Sequence, residues 1–247
     1  MRQIFTALLL SACLAIAPAA HADTPGKFTP EQRAEIVSII RQALAADPSI
    51  LRDALEALQR DEASREEAVA RTAISGMRDA LVHNSADPVG GNPKGDVTVV
   101  EFYDERCPFC RGMQPIEAEL LKRDHDVRVV FKDIPILGAG SELAARAVLA
   151  AQRQDGFAKL RSVLMAGTPN IDIEVVHTAA LKAGLDWPRL QHDMADPAIQ
   201  SRIDANLKLA RALHIDGTPT YVIGDAMLSG AVELADLQSA VAAARKK

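Results

Sequence analysis

Apolar positions along this chain follow several rhythms, and each predicts a different kind of element. From Phe28 to Leu58 they recur every three or four residues. Thr29-Pro30-Glu31-Gln32 opens that stretch as a helix start: Thr29 caps, Pro30 suits the first turn, and Gln32 closes a capping box. Ile36, Ile39, Ile40 and Leu44 mark one helix; Asp47-Pro48 restarts a second, with Ile50, Leu51, Ala54, Leu55 and Leu58 on one side. Residues 59–67 hold only Ala among charged and polar side chains, which predicts a solvated helical arm. Apolar positions return at Val69, Ile74, Met77, Leu81 and Val82.

Beyond the arm the rhythm changes. Residues 83–96 carry Pro88, Gly90, Gly91, Pro93 and Gly95 and read as a linker or an edge segment. Val97–Tyr103 reads as a buried strand, followed by a helix from Cys107 to about Lys122 with Pro115 as a kink. A second strand is expected over 126–136, then a helical block over 141–213 broken at Gly167-Thr168-Pro169, Gly184 and Asp196-Pro197. A hairpin over 220–230 and a helix over 233–244 close the chain. The order strand, helix, strand, helical block, hairpin, helix is that of an α/β domain.

With 247 residues, 48% of them hydrophobic, the chain can hold one catalytic domain plus an accessory segment. A net charge of −5, with no Lys/Arg-rich run, gives no reason to expect nucleic acid as a partner. Residues 1–22 look like a signal peptide: Arg2, an apolar run from Ile4 to Ile16, and Ala20-His21-Ala22 as a cleavage site. The alternative is a lipoprotein box, Leu10-Ser11-Ala12-Cys13, which would leave Cys13 lipidated. Cleavage after Ala22 leaves two cysteines of the original three, Cys107 and Cys110, both in one CxxC. That is too few for a structural disulfide framework, and a four-ligand zinc site lacks its second pair. No metal site is therefore expected, and no cofactor beyond a redox-active Cys107–Cys110 disulfide.

Cys107 falls at the start of its helix, where free backbone N–H groups and the helix dipole favour a thiolate. Arg106 and Arg111 flank it and are expected to add to that effect. A thiolate there attacks a substrate disulfide, and Cys110, one turn deeper, resolves the mixed disulfide. Pro108 lacks an N–H where none would be paired. Phe109 offers a thiolate neither charge nor hydrogen bond, so the couple is expected to be less oxidising than one with His there. Glu101 is in phase with Val97 and Val99 on the strand, which places a carboxylate on an apolar row. Buried behind the CxxC, it would exchange a proton with Cys110; on an edge strand it would simply face water. Thr218-Pro219 precedes the hairpin, where a cis bond would present Thr218 to an extended substrate and a trans bond would be an ordinary loop.

The stretch EFYDERCPFC, with Glu101 six residues before Cys107, the helical block, and TPTYVIG at 218–224 resemble the thioredoxin superfamily in its DsbA-like branch, over about residues 85–245. FTPEQRAEIVSIIRQALAADPSILRDALEAL resembles the N-terminal segment of ScsC-type proteins, linked to copper-stress tolerance and in some members trimeric. The resemblance implies a thioredoxin fold with a helical insertion, a cis Pro219 beside the CxxC, Cys107 as nucleophile and Cys110 as resolving thiol. It also implies a periplasmic location and a membrane redox partner that resets the pair. Thr218 resembles the isomerase pattern more than the strongly oxidising DsbA, which carries Val there.

The domains expected are a signal peptide (1–22), an N-terminal helical oligomerisation segment (23–58), a linker arm (59–84) and a thioredoxin domain (85–247). Two short helices cannot bury their own stripes. They either fold back on the catalytic domain or pack against other copies, and the charged arm favours self-association, a trimer by resemblance. The function expected is disulfide isomerase or reductase acting on disulfide-containing periplasmic proteins. The alternatives are a DsbA-like dithiol oxidase, and a copper-tolerance protein whose two thiols are soft donors suited to Cu(I).

Overall fold

The computed structural model describes residues 28–246, so the signal-peptide and Cys13 readings lie outside the described residues. The chain divides into two units, with the boundary between Gln59 and Arg60.

In the first unit, α1 (Pro30–Ala46) starts on the expected capping box. Gln32 N donates to Thr29 Oγ1 at 3.3 Å and Thr29 N to Gln32 Oε1 at 2.8 Å. Asp47 Oδ1 accepts from Ser49 N at 3.0 Å and turns the chain into α2 (Ser49–Gly76), which spans the boundary. The charged stretch stays helical, helped by an Asp61–Arg65 pair at 2.8 Å one turn apart. No residue of α1 is buried, and Ile39, Ile40, Leu51 and Leu55 are all at least half exposed.

The second unit is built on a five-stranded sheet in the order β1-β3-β2-β4-β5. The strands are β1 (Val89–Gly91), β2 (Val97–Tyr103), β3 (Val127–Asp133), β4 (Thr220–Ile223) and β5 (Ala226–Ser229). Central β2 and its neighbour β3 run parallel, so the chain must cross over between them, which it does through α4 (Pro108–Arg123). The segment expected as linker or edge supplies edge strand β1, antiparallel to β3. Alternation along β2 assigns the two faces. Val97, Val99 and Tyr103 pack with α4 and the helical insertion; Val100 and Phe102 pack on the opposite side.

That opposite side is closed by Ile74 from the end of α2 and Leu81 from α3 (Arg78–Val82), each 1% exposed. The last turns of the arm are therefore part of this unit's core. Buried Lys132 of β3 reinforces the contact by donating to the Asp87 carboxylate and to Ala80 O.

The insertion is five helices: α5 (Ala139–Ala151), α6 (Phe157–Ala166), α7 (Ile173–Lys182), α8 (Trp187–Met194) and α9 (Pro197–Ala212). Asp172, Asp186 and Asp196 cap the last three through bonds of 2.8–2.9 Å. One further break, at Asp155-Gly156, was not marked by the apolar pattern. Asp155 takes a left-handed conformation (φ 53°) there, and a Cβ on Gly156 would lie 2.3 Å from Leu185. Helix α10 (Leu234–Ala244) packs Leu237 and Val241 on the α4 side.

Candidate active site

Strand β2 ends at Tyr103, and Asp104 organises the turn that follows. Its buried carboxylate accepts from Arg106 N (2.8 Å), Ile136 N (3.0 Å), Leu137 N (3.2 Å) and Ser141 Oγ (2.8 Å). That clamp delivers Cys107 as the N-cap of α4 with Pro108 at the first helical position. Cys107 and Cys110 are both free thiols; Cys107 is 4% exposed and Cys110 fully buried. Cys107 Sγ lies 3.2 Å from Thr218 O, across 111 residues of chain, and the Thr218–Pro219 bond is cis. The hairpin behind is held by Gly230 N donating to Pro219 O at 2.8 Å. Phe109 is 62% exposed and presents an apolar rim beside the dithiol.

The flanking arginines do something other than expected. Arg106 donates to Pro169 O (2.8 Å) and Leu137 O. Arg111 donates to Glu105 O (2.7 Å), Met165 O (3.0 Å), Gly167 O (2.8 Å) and Thr168 O (3.2 Å). Both guanidinium groups are engaged by carbonyl oxygens, because the loop after α6 ends against the CxxC and needs donors. They clasp the insertion to the dithiol, while the Arg111 guanidinium remains within electrostatic range of Cys107.

Glu101 is on the apolar row, on a central strand, and fully buried. Burial pushes its carboxyl well up, the Arg161 guanidinium opposes this, and nearby Glu117 adds to the rise. Arg161 Nη2 donates to Glu101 Oε1 (2.9 Å) and Oε2 (2.7 Å), while its Nη1 lies 3.7 Å from Glu117 Oε2. Tyr221 OH donates to Glu117 Oε1 at 2.7 Å. The Arg161 guanidinium lies in the corner formed by the Tyr103 and Phe131 rings, which meet edge to face, 4.5 and 4.6 Å from their centroids. Burial also pushes the Cys110 thiol up, partly offset by a backbone bond from Asp104, and the Glu101 charge adds to the rise. A buried thiol that resists ionisation therefore lies within the field of a buried carboxyl.

A second acidic pair lies beside the first. Glu105 and Asp133 are both fully buried. Neither oxygen of Glu105 nor Oδ1 of Asp133 meets a donor, so a bond between the two carboxyls needs a proton on one of them. Burial raises Glu105 to about 7, and burial together with Glu105 holds Asp133 well above the usual carboxylate range.

Sequence reasoning brought Cys107, Cys110, Glu101, Thr218 and Pro219 forward, and the structure gathers them at one end of β2 and β4. Arg161 was missed. Its signal is phase: in α6 the buried Phe157, Leu160 and Leu164 form an apolar stripe, and Arg161 sits in it.

A thioredoxin-fold domain with a dithiol at a helix start facing a cis-proline loop defines the class. The DSBA-like thioredoxin domain model matches residues 98–242, and the chain belongs to that family. The copper resistance protein ScsC N-terminal domain model matches residues 32–64. A thioredoxin-like oxidoreductase from Silicibacter pomeroyi is similar at 42% identity, covering 69% of this chain and 98% of that one, with a TM-score of 0.67. A linker-deletion variant of Proteus mirabilis ScsC covers 90% of this chain and 98% of its own at 27% identity, also with a TM-score of 0.67. The thiol:disulfide interchange protein DsbA of Bordetella parapertussis is 25% identical over 154 residues, 60% of this chain and 73% of that protein. The chain spans about a quarter (24%) of the length of a Salinispora tropica Na(+)/H(+) antiporter, NhaA 3, which it matches at 29% identity over 160 residues, 64% of this chain. Family, fold and site together make this domain a thiol–disulfide oxidoreductase. No helix among the described residues is long and apolar enough to cross a membrane.

Proposed function

We propose that the protein is an exported, periplasmic disulfide isomerase or reductase of ScsC type that works as an assembly of identical chains, a trimer. Cys107 attacks a wrong disulfide in a periplasmic protein, with the substrate chain lying along Thr218-Pro219. The mixed disulfide is then resolved by Cys110 or by a substrate thiol, with Glu101 taking and returning the proton. The pair needs no cofactor beyond its own disulfide and is reset by a membrane redox partner. Pro108 and Phe109 tune the couple.

The observation that carries the reading is Cys107 Sγ at 3.2 Å from Thr218 O. A nucleophile and a strand-like backbone edge then face the same substrate. The unburied apolar faces of α1 and α2 support assembly. Refolding of a scrambled-disulfide substrate tests both parts. Cys107→Ser is expected to abolish activity, and deletion of residues 28–58 to lower isomerisation while sparing simple disulfide exchange. Full isomerase activity in the deletion would remove the assembly from the mechanism.

The similarity to a DsbA favours a second reading, a dithiol oxidase. A reduction potential near the DsbA value of about −120 mV would select it. The N-terminal family's copper association favours a third, although among the described residues no group of three or more His, Cys, Asp or Glu is placed to hold a metal. Tight Cu(I) binding without disulfide exchange would select that reading.

A further inference from the structure

The resolving step has a proton problem. For Cys110 to attack, its thiol must lose a proton, and it is fully buried. The acid–base groups facing that space come from several elements: Glu101 from β2, Glu117 from α4, Tyr221 from β4, Glu105 from the loop after β2, and Arg161 from α6. Arg161 is the one cation among them. It is 7% exposed, holds both oxygens of Glu101 and is kept in place by two aromatic rings. The end of its helix is clasped to the start of α4 by Arg111 and Gln114, the latter donating to Met165 Sδ at 2.7 Å.

We propose that Arg161, carried into the catalytic core by the helical insertion, is the positioning residue that makes Glu101 easier to ionise and so able to accept the Cys110 proton. The inference rests on Cys110 being the resolving thiol. The step balances as follows. The Cys110 thiol gives its proton to the Glu101 carboxylate. The resulting thiolate attacks Cys107 Sγ of the mixed disulfide. The Cys107–Cys110 bond forms, the Cys107–substrate S–S bond breaks, and the substrate sulfur leaves as a thiolate carrying the electron pair. Cys107 and Cys110 end oxidised, the substrate sulfurs end reduced, and the substrate thiolate takes up the proton.

Two features argue against a purely structural role for Arg161. The guanidinium stands between two carboxyls, Glu101 and Glu117, and bonds them unequally. Its two short bonds go to Glu101, whose charge is felt at Cys110, and the longer contact goes to Glu117, which Tyr221 already satisfies. Removing the charge therefore leaves Glu101 in an apolar row beside other carboxyls, and ionising it becomes costlier still.

The test is single-turnover resolution of a preformed Cys107–peptide mixed disulfide, followed by acid quench between pH 5 and 9, in the full mature chain. In the wild type the rate rises with pH through one inflection, the ionisation of Glu101. Arg161→Met is expected to move that inflection about one unit or more to alkaline pH and to slow resolution at least about tenfold below it. Arg161→Lys is expected to restore most of the rate and the profile. The Arg161→Met/Glu101→Gln double variant is expected to match Glu101→Gln alone. An unmoved inflection in Arg161→Met would overturn the proposal, as would a double variant clearly slower than Glu101→Gln alone. The second comparison decides if Arg161→Met fails to fold. Cys110→Ser in the same assay tests the underlying reading separately: unchanged peptide release there would mean that Cys110 does not resolve, whatever the arginine does.

Discussion

Replacing Ile40 in the middle of α1 with glutamate should break the protein into single chains. The eight apolar side chains Ile36, Ile39, Ile40, Leu44, Ile50, Leu51, Leu55 and Leu58 are 37–57% exposed. Covering the open half of each is worth about 1 kcal/mol, so one chain offers on the order of 8 kcal/mol and three offer somewhat over 20. Two association steps oppose this at about 4–15 kcal/mol each. The two sums, somewhat over 20 against about 8–30 kcal/mol, are of similar size, so a cost of a few kcal/mol per copy is enough to decide assembly. Ile40→Glu brings one carboxylate per copy into the shared apolar seam, at about 3 kcal/mol or more for each. That corresponds to roughly a hundredfold in dissociation constant per copy. Light scattering on a sizing column gives the mass of the mature chain directly. The wild type is expected to run as an assembly and Ile40→Glu as a monomer, with the far-ultraviolet circular dichroism of the sheet domain unchanged. A monomeric wild type, or an assembly that survives Ile40→Glu, would refute the reasoning.

Other consequences are more local. Leu81→Ala empties a fully buried site on the second face of the sheet and should destabilise the unit by about 2–5 kcal/mol in urea titrations, although Leu81 lies outside the strand–helix–strand core. Glu105 is raised by burial to about 7 in the folded chain, so the folded state holds a proton that the unfolded chain has released. Stability is then greatest below the unfolded value near 4.5 and is lost as pH rises from there through about 7. Glu105→Gln should flatten that slope in denaturation measured across pH 4–8, and should stabilise the protein by roughly 3 kcal/mol at pH 7.5. Arg111→Ala removes the donor shared by the carbonyls of Met165, Gly167 and Thr168 and should raise amide exchange across residues 165–169 by tenfold or more, with a loss of about 1.5–3 kcal/mol.

Local patterns carried most of the fold. The capping box at Thr29, the strand at 97–103 and the Asp196-Pro197 break each depend on residues a few positions apart, so the sequence shows them directly. Glu101 was legible for the same reason: period two along a strand assigns a face. Contacts between distant segments were not legible. The apolar return at Ile74 and Leu81 signals burial but does not say against what, and the structure answers with Val100, Phe102 and Val130. The clasp made by the arginines beside the CxxC was not legible, because sequence adjacency to Cys107 says nothing about where a long side chain ends. Each reaches a loop more than fifty positions away and donates to its carbonyls.

The acids around the dithiol show why residue type alone does not assign chemistry. Glu105 is two positions from Cys107 and Glu101 is six, so proximity in sequence would choose Glu105 as the proton acceptor. The proposed mechanism uses the other. Glu101 has a guanidinium two short bonds away, contributed by a helix sixty positions along the chain. Glu105 lies in the field of the same guanidinium but makes no direct bond to it, and shares a proton with the Asp133 carboxyl. A carboxyl must be able to hold charge before it can accept a proton from a thiol, and in an apolar core that ability comes from a counter-ion. In the proposed mechanism the dithiol motif supplies the sulfurs, strand β2 the acid, and the insertion the counter-ion bonded to that acid.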